Sequence, residues 1–188
     1  MPETKVQTSA ETTRDSVLEA ASIVFLSQPY DKATLRRIAQ EAGVDVAYVH
    51  RLFGSKKALF REVLSNIFDR LTQTSAPMGS LLDRLVEMTH KDVHAPMKGG
   101  DAVGLFIHSL SNPEAREIMV EFLRLHVLIP LEAGFDGPDA TAKAEKVFAF
   151  LVGVRITGRF IGLKSVGGQT SDEWKEWLVS TIRCIYDN

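Results

Sequence analysis

Between Thr34 and Phe60 the chain reads TLRRIAQEAGVDVAYVHRLFGSKKALF, and two glycines divide this run so firmly that few local folds remain open. Leu35, Ile38, Ala39 and Ala42 recur at the three- and four-residue spacing of one helix face, while Arg36, Arg37, Gln40 and Glu41 fall on the other. Gly43 stops that helix, because a chain leaving a helix in a left-handed conformation uses glycine, and Asp45 is a good N-cap for the next one. The second helix, Val46 to Phe53, should bury Val49, Leu52 and Phe53 and turn Val46, Ala47, Tyr48, His50 and Arg51 outward. Small Ala39 lets the two helices cross closely, and Val44 and Val49 fill the angle between them. The pattern predicts a helix-turn-helix, although an ordinary helical corner in an all-α protein has the same spacing.

Charge separates the two readings. From Lys32 to Arg61 seven cations face two anions, a local net of +5 in a chain of −2, so the remainder carries −7. A basic island on an acidic protein is the footprint of a phosphate backbone. In a helix-turn-helix the second helix enters the major groove and the first crosses the backbone. Gly54-Ser55 caps a third helix whose first turn holds Lys56 and Lys57, where the helix dipole disfavours positive charge. That violation makes sense if an anion docks there, held by free N–H groups and a lysine together. Thr34, an N-cap with a hydroxyl, offers a second such terminus.

Thr34-x-Arg36-x-Ile38-Ala39-x3-Gly43-Val44, then Val49-His50-x-Leu52-Phe53 and Gly54-Ser55-Lys56-x2-Leu59-Phe60, resemble the N-terminal domain of TetR-type (tetracycline-repressor-like) transcriptional regulators over about thirty ungapped residues. His50 stands where that family usually has a phosphate-touching tyrosine, Leu52 where histidine or tyrosine is common, and Asp45 where serine is the commoner cap. A histidine can still donate to phosphate. The resemblance implies DNA contacts from Thr34, Arg36, Val46, Ala47, Tyr48, His50, Arg51 and Lys56. It also implies an aromatic packed into the small core at the position of Tyr30.

Length and hydrophobic content (188 residues, 45%) allow one domain or two small ones with packed cores. A lone cysteine, Cys184, excludes an intrachain disulfide and fits a reducing cytoplasm. The longest uncharged apolar run, Val147 to Val154, is too short to cross a bilayer, and the polar N-terminus carries no export pattern, so a cytoplasmic protein is expected. Residues 1–12 read as a flexible arm with a single cation, Lys5, residues 13–54 as the helix-turn-helix domain, and residues 55–188 as a C-terminal domain. Periodicity predicts helices at about 13–27, 35–42, 46–53, 55–74, 78–95, 101–109, 113–133, 138–165 and 171–186, and no strand. The punctuation is Ser75-Ala76-Pro77, Pro96, Gly99-Gly100, Asn112-Pro113, Gly134 to Pro138, and Gly167-Gly168, with a capping box at Thr170 and Glu173. The fold class is therefore all-α, about nine helices.

The helix from Pro138 is apolar on two sides, Val147, Leu151, Val154 and Ile161 on one stripe and Phe148, Val152, Ile156, Phe160 and Leu163 on another, with Gly158 and Gly162 placed for close backbone approach. Trp174, Trp177, Leu178, Thr181, Ile182 and Ile185 give the last helix an equally broad apolar face. Two such helices and their two-fold copies would make a four-helix interface, where TetR-like proteins dimerise, although both faces could equally close a monomeric bundle. Phe106, Met119, Phe122, Leu123, His126, Phe148, Leu151 and Arg155 are candidate ligand contacts, Arg155 and His126 as polar anchors, in the region where the resemblance implies an effector. The same residues at helical spacing also suit plain packing. His90 and His94, with Asp92 between them, lack a third ligand and read as a solvated face. No catalytic grouping or phosphate loop stands out, so neither enzyme activity nor a cofactor is expected. The leading expectation is a homodimeric regulator, by the resemblance a repressor, that binds a palindromic operator through the helix 46–53 and is released by a small hydrophobic or aromatic effector. The alternative is a small-molecule binding protein with a vestigial helix-turn-helix.

Overall fold

The computed structural model describes residues 9–73, 81–92, 102–167 and 172–187. Helices account for the ordered elements, and no strand occurs among the described residues. In chain order they are α1 (Ser9–Ser27), α2 (Leu35–Ala42), α3 (Val46–Phe53), α4 (Lys56–Gln73), α5 (Leu81–Asp92), α6 (Ala102–Leu110), α7 (Pro113–Leu123), α8 (Ile129–Glu132), α9 (Ala140–Arg155), α10 (Lys164–Gly167) and α11 (Asp172–Asp187). The nine expected helices are all present. The short α10 is additional, and α1 starts four residues earlier than periodicity indicated. The arm's residues 1–8, the joint at Ser75–Pro77, Pro96, Gly99-Gly100, His94, Gly168 and Thr170 lie outside the described residues.

Two compact units emerge, Met1–Ile67 with Lys98–Met119, and Phe68–Met97 with Val120–Asn188. In the first, Val17, Ala21, Val24 and Phe25 of α1 are buried with Ile38 and Ala39 of α2, Val49 and Phe53 of α3, and Leu59, Phe60 and Val63 of α4. The rings of Phe25, Tyr30 and Phe60 centre this core. Phe25 and Tyr30 stack at 5.8 Å, and Phe60 meets both edge-on at 4.9 and 5.0 Å. Such offset and edge-to-face contacts add to simple area burial. Arg14 of α1 pairs with Glu62 of α4 and lies over the Phe53 ring, 4.9 Å from its centre, so it pins the end of α3 from outside.

The second unit is built on Leu85 and Val86 of α5, Val147, Leu151 and Val154 of α9, and Trp174, Leu178 and Ile182 of α11, with Val127, Leu131 and Phe135 from the stretch before α9. Two π-helical turns interrupt the long helices. Between α7 and α8, residues Arg124–Leu128 wind in the wider form, and the Ile129 N–H reaches back to the Arg124 carbonyl. Pro130 explains it: a proline inside a helix has no N–H to donate and its ring crowds the carbonyl four residues earlier, so the backbone widens there. A second such turn, Ile156–Phe160, follows α9. Here the structure corrects the sequence reading. The helix does not run to residue 165, because Gly162 takes a φ of 77° and turns the chain out of it. Gly162 is therefore a terminator and not a packing glycine, and Ile161 and Leu163, expected on apolar helix stripes, are exposed.

Candidate nucleic-acid interface

Each helix end between Thr34 and Ser55 is closed by a specific bond. Thr34 Oγ1 accepts from the Arg37 N–H at 3.1 Å, with extended backbone at φ −107° and ψ 149°. At the other end of α2, Gly43 sits left-handed at φ 68°. Its N–H donates to the Gln40 carbonyl at 3.3 Å, and the Val44 N–H to the Ala39 carbonyl at 3.0 Å. This paired closure satisfies two carbonyls that a helix end leaves open. Asp45 Oδ1 then accepts from the Ala47 N–H at 2.7 Å and starts α3 within two residues. Because the turn is short and bonded at both ends, α3 is held at a fixed angle to α2.

After α3, the Gly54 N–H donates to the His50 carbonyl at 2.8 Å with Gly54 at φ 74°. Ser55 Oγ accepts from the Ala58 N–H at 3.1 Å and caps α4. Thr34, Arg36, Ala47, His50 and Arg51 are exposed, and Val46, Tyr48 and Lys56 are half-buried. They come from the start of α2, the outer face of α3 and the first turn of α4, all within the first unit. Leu52, expected inside, is half-buried, while Val49 and Phe53 are fully inside. Thr34 Oγ1 and Ser55 Oγ spend a lone pair on the backbone and keep a hydroxyl proton to give. The N–H groups of a helix's first turn have no acceptor within the helix and point outward along its axis.

Lys56 has a more specific placement than its position in the sequence conveyed. Its Nζ donates to the Tyr30 carbonyl at 2.6 Å and lies 4.0 Å from the centre of the Tyr30 ring. Burial lowers its pKa from the ordinary lysine value, and the carboxylates of Glu114 and Asp31 work in the opposite direction. The charge that a helix N-terminus disfavours is thus compensated by a carbonyl and a ring face. Tyr30, buried in the core, donates its hydroxyl to Glu114 Oε2 of α7 at 3.2 Å. Burial first, and Glu114 second, push the phenol pKa well above its usual value. Sequence reasoning missed Glu114 and Arg14; an acid in the first turn of one helix and an arginine on the polar side of another carry no signal of a distant partner.

His50 and Arg51 also have defined partners. His50 Nδ1 donates to the Gly54 carbonyl at 3.2 Å, and the Arg51 guanidinium lies over the Tyr48 ring. Of the ligand-contact candidates, Phe106 and Met119 belong to the first unit, whereas Phe122, Leu123, His126, Phe148, Leu151 and Arg155 belong to the second. Phe122 stacks on His126 at 4.4 Å, and Phe68, which sequence reasoning did not single out, meets Phe122 edge-on at 5.8 Å. His126 is exposed, Phe148 and Leu123 are half-buried, and Leu151 and Arg155 are buried. No group of three or more metal-ligating side chains occurs among the described residues, and no helix among them is long and apolar enough to cross a membrane.

Comparison with known proteins agrees with this geometry. The family model of bacterial regulatory proteins of the tetR family matches residues 17–63, and that of the tetracyclin repressor-like C-terminal domain matches residues 80–185. No curated protein matches the chain. Among solved structures, GusR of Salmonella enterica superposes with a TM-score of 0.72 at 17% identity, covering 98% of this chain and 100% of that one. NalD of Pseudomonas aeruginosa, the secondary repressor of the MexAB-OprM multidrug efflux pump, gives 0.62 at 20% identity over 93% and 96%. A TetR-family regulator from Streptomyces coelicolor gives 0.59 at 22% identity over 98% and 100%. At these identities the likeness speaks to the fold, while the two family models together span most of the chain. The chain belongs to the TetR family of bacterial transcriptional regulators and carries that family's DNA-binding helix-turn-helix at residues 34–53.

Proposed function

We propose that the protein is a cytoplasmic homodimeric repressor that binds a palindromic operator through α3 and leaves it when a small hydrophobic or aromatic effector occupies its second unit. The observation that carries the DNA half is the run of exposed or half-buried donors, Thr34, Arg36, His50, Arg51 and Lys56, on three helix segments whose ends are locked. Val46, Ala47, Tyr48 and Arg51 face the bases, and Thr34, Arg36, His50 and Lys56 hold phosphate. NalD, described as a repressor, is a fold neighbour and supports that sign of regulation. The aromatic cluster of Phe68, Phe122 and His126 supports an effector with an apolar or aromatic body, with Leu123, Phe148, Leu151 and Arg155 of the same unit as further candidate contacts. Such a ligand need only bind the released state better than the DNA-bound one. Electrophoretic shift of the duplex upstream of the protein's own coding region tests the reading. Shift by the parent protein, reversed by a ligand that co-purifies with it, is the expected result; ligand binding with no shift of any duplex would instead favour a binding protein whose helix-turn-helix is unused.

Lys56→Ala is expected to weaken binding to every DNA sequence about equally and to lower the salt slope by roughly one unit, as loss of one phosphate contact does. Because Nζ also bridges to Tyr30, the same change should cost about 1 kcal/mol of stability. Titrations of operator and random duplex at several salt concentrations check it. A loss confined to the operator, with the slope intact, would sink the phosphate assignment.

His50→Ala should lower affinity for all sites alike, because it removes one backbone contact and leaves the base-facing surface in place. With Nδ1–H given to the Gly54 carbonyl, the ring is held at the end of α3 with Nε2 as its free edge. Binding isotherms of parent and variant on operator and random duplex decide it, and an unchanged affinity for both would mean that His50 serves packing of the α3 end alone.

A further inference from the structure

Arg51 follows Tyr48 by one helical turn on α3, and its guanidinium carbon lies 4.7 Å from the centre of the Tyr48 ring. Tyr48 is half-buried, which fixes the ring, while Arg51 is exposed. No acid lies in the first turn of α3, and the Asp45 carboxylate before it is engaged by the Ala47 N–H at 2.7 Å. On its own helix, then, the guanidinium is held by a ring face. That mode of holding has a consequence for recognition. A guanidinium laid on a ring uses its face and keeps its edge, where all five N–H donors lie in one plane. An untethered arginine on a DNA-facing surface swings readily to phosphate oxygens. One tethered through its face presents the fork in one direction, and a fork is what pairs with the N7 and O6 acceptors of a guanine.

We propose that Tyr48 is a positioning residue for Arg51, so that the two make one reading unit in which the ring aims the fork at a guanine in each half-site. This rests on α3 being the operator-reading helix. The tyrosine hydroxyl has no part in the unit, and the ring does not itself select a base. Arginine on phosphate, the strongest competing role for Arg51, is disfavoured to the extent that the ring holds it.

Selection of bound duplexes from a random pool, with competition binding at fixed salt, tests the unit in the parent, Tyr48→Phe, Tyr48→Ala, Arg51→Ala and the double Tyr48→Ala/Arg51→Ala variant. Alanine at an outward helix position keeps the helix, and circular dichroism of each variant checks that it has. The parent should prefer guanine at one position per half-site. Arg51→Ala should lower that preference about tenfold or more, the worth of a bidentate pair. Tyr48→Ala should lower it at the same position by about two- to fivefold, the worth of an exposed cation–π contact, and Tyr48→Phe should leave it unchanged. With Arg51 already replaced, Tyr48→Ala should add nothing there, because interacting residues are non-additive. Additive effects, effects at separate positions, or loss of the preference in Tyr48→Phe would overturn the unit while leaving operator binding in place. So would a parent motif that Arg51→Ala does not alter. A parent that enriches no sequence would overturn the operator reading itself, and this assignment with it.

Discussion

Phe60→Ala should lower the stability of the first unit by about 3–5 kcal/mol, the usual cost of emptying a buried phenylalanine site. Phe60 is wholly buried and its ring meets both Phe25 and Tyr30. Its removal therefore leaves a cavity lined by two aromatic rings that are themselves fixed, Tyr30 by the Glu114 bond and the Lys56 ammonium. Those fixed walls leave little room for collapse, which places the cost toward the upper part of the range. A domain of ordinary stability has about 5–15 kcal/mol in all, so much of the margin goes. Both tryptophans, Trp174 and Trp177, lie in the second unit. Helical circular dichroism during denaturation should then begin to fall before tryptophan emission changes, and DNA affinity should fall with the first transition. Phe60→Leu, which keeps more of the volume, should cost much less. A single transition displaced by under about 1 kcal/mol in the alanine variant would show that the aromatic core does not support α3 as described.

The first unit was far more legible in the sequence than the second, and the reason lies in its punctuation. Thr34, Gly43, Asp45, Gly54 and Ser55 each perform a backbone task that few residue types can perform, so a letter there stands for a geometry. The bounds of α2 and α3 follow directly from them. In the second unit the letters are ambiguous. A glycine at position 162 can admit a neighbouring backbone or end a helix, and only the backbone at φ 77° separates the two. Periodicity reads 113–133 as one regular helix, yet at Pro130 the chain stays helical only by reaching back five residues over Arg124–Leu128, a local widening that apolar spacing does not signal.

Side chains show the same contrast. Outward positions on α3 could be assigned by counting, because one helix packed against one core has a single dry side. Residues such as Phe122, Phe148 and Leu151 lie on helices with several neighbours, and an aromatic there fills a core as readily as it lines a cavity. The bond from Lys56 to the Tyr30 carbonyl joins positions 26 residues apart and has no periodic signature at all. Sequence placed the lysine at a disfavoured helix end; it could not supply the partner that makes the placement tolerable.

Gly153→Glu should separate the subunits of the proposed homodimer while leaving each chain folded. On α9, Ala149 is exposed and Phe150 and Gly153 are half-buried on the same side, and Thr157 in the wider turn that follows is half-buried as well. Trp177 of α11 meets Phe150 at 5.7 Å and is 43% exposed, an unusual state for so large a ring unless a second surface covers it. A two-fold pairing of α9 and α11 with their copies would cover both, and Gly153 would sit where the backbones come nearest. A Cβ built at Gly153 meets nothing within 4 Å in the single chain. Replacing a mid-helix glycine by a better helix former should even raise the stability of the isolated chain, by roughly 0.5–1 kcal/mol. The expected combination is retained helical circular dichroism with an unfolding midpoint that no longer depends on protein concentration, a monomeric mass in analytical ultracentrifugation, and operator affinity reduced about a hundredfold or more through loss of the second half-site. Affinity for an isolated half-site should be unaffected. A variant that remains dimeric would remove α9 from the interface and turn attention to the exposed Val120, Leu125 and Ile129 on the helix that runs through α7 and α8.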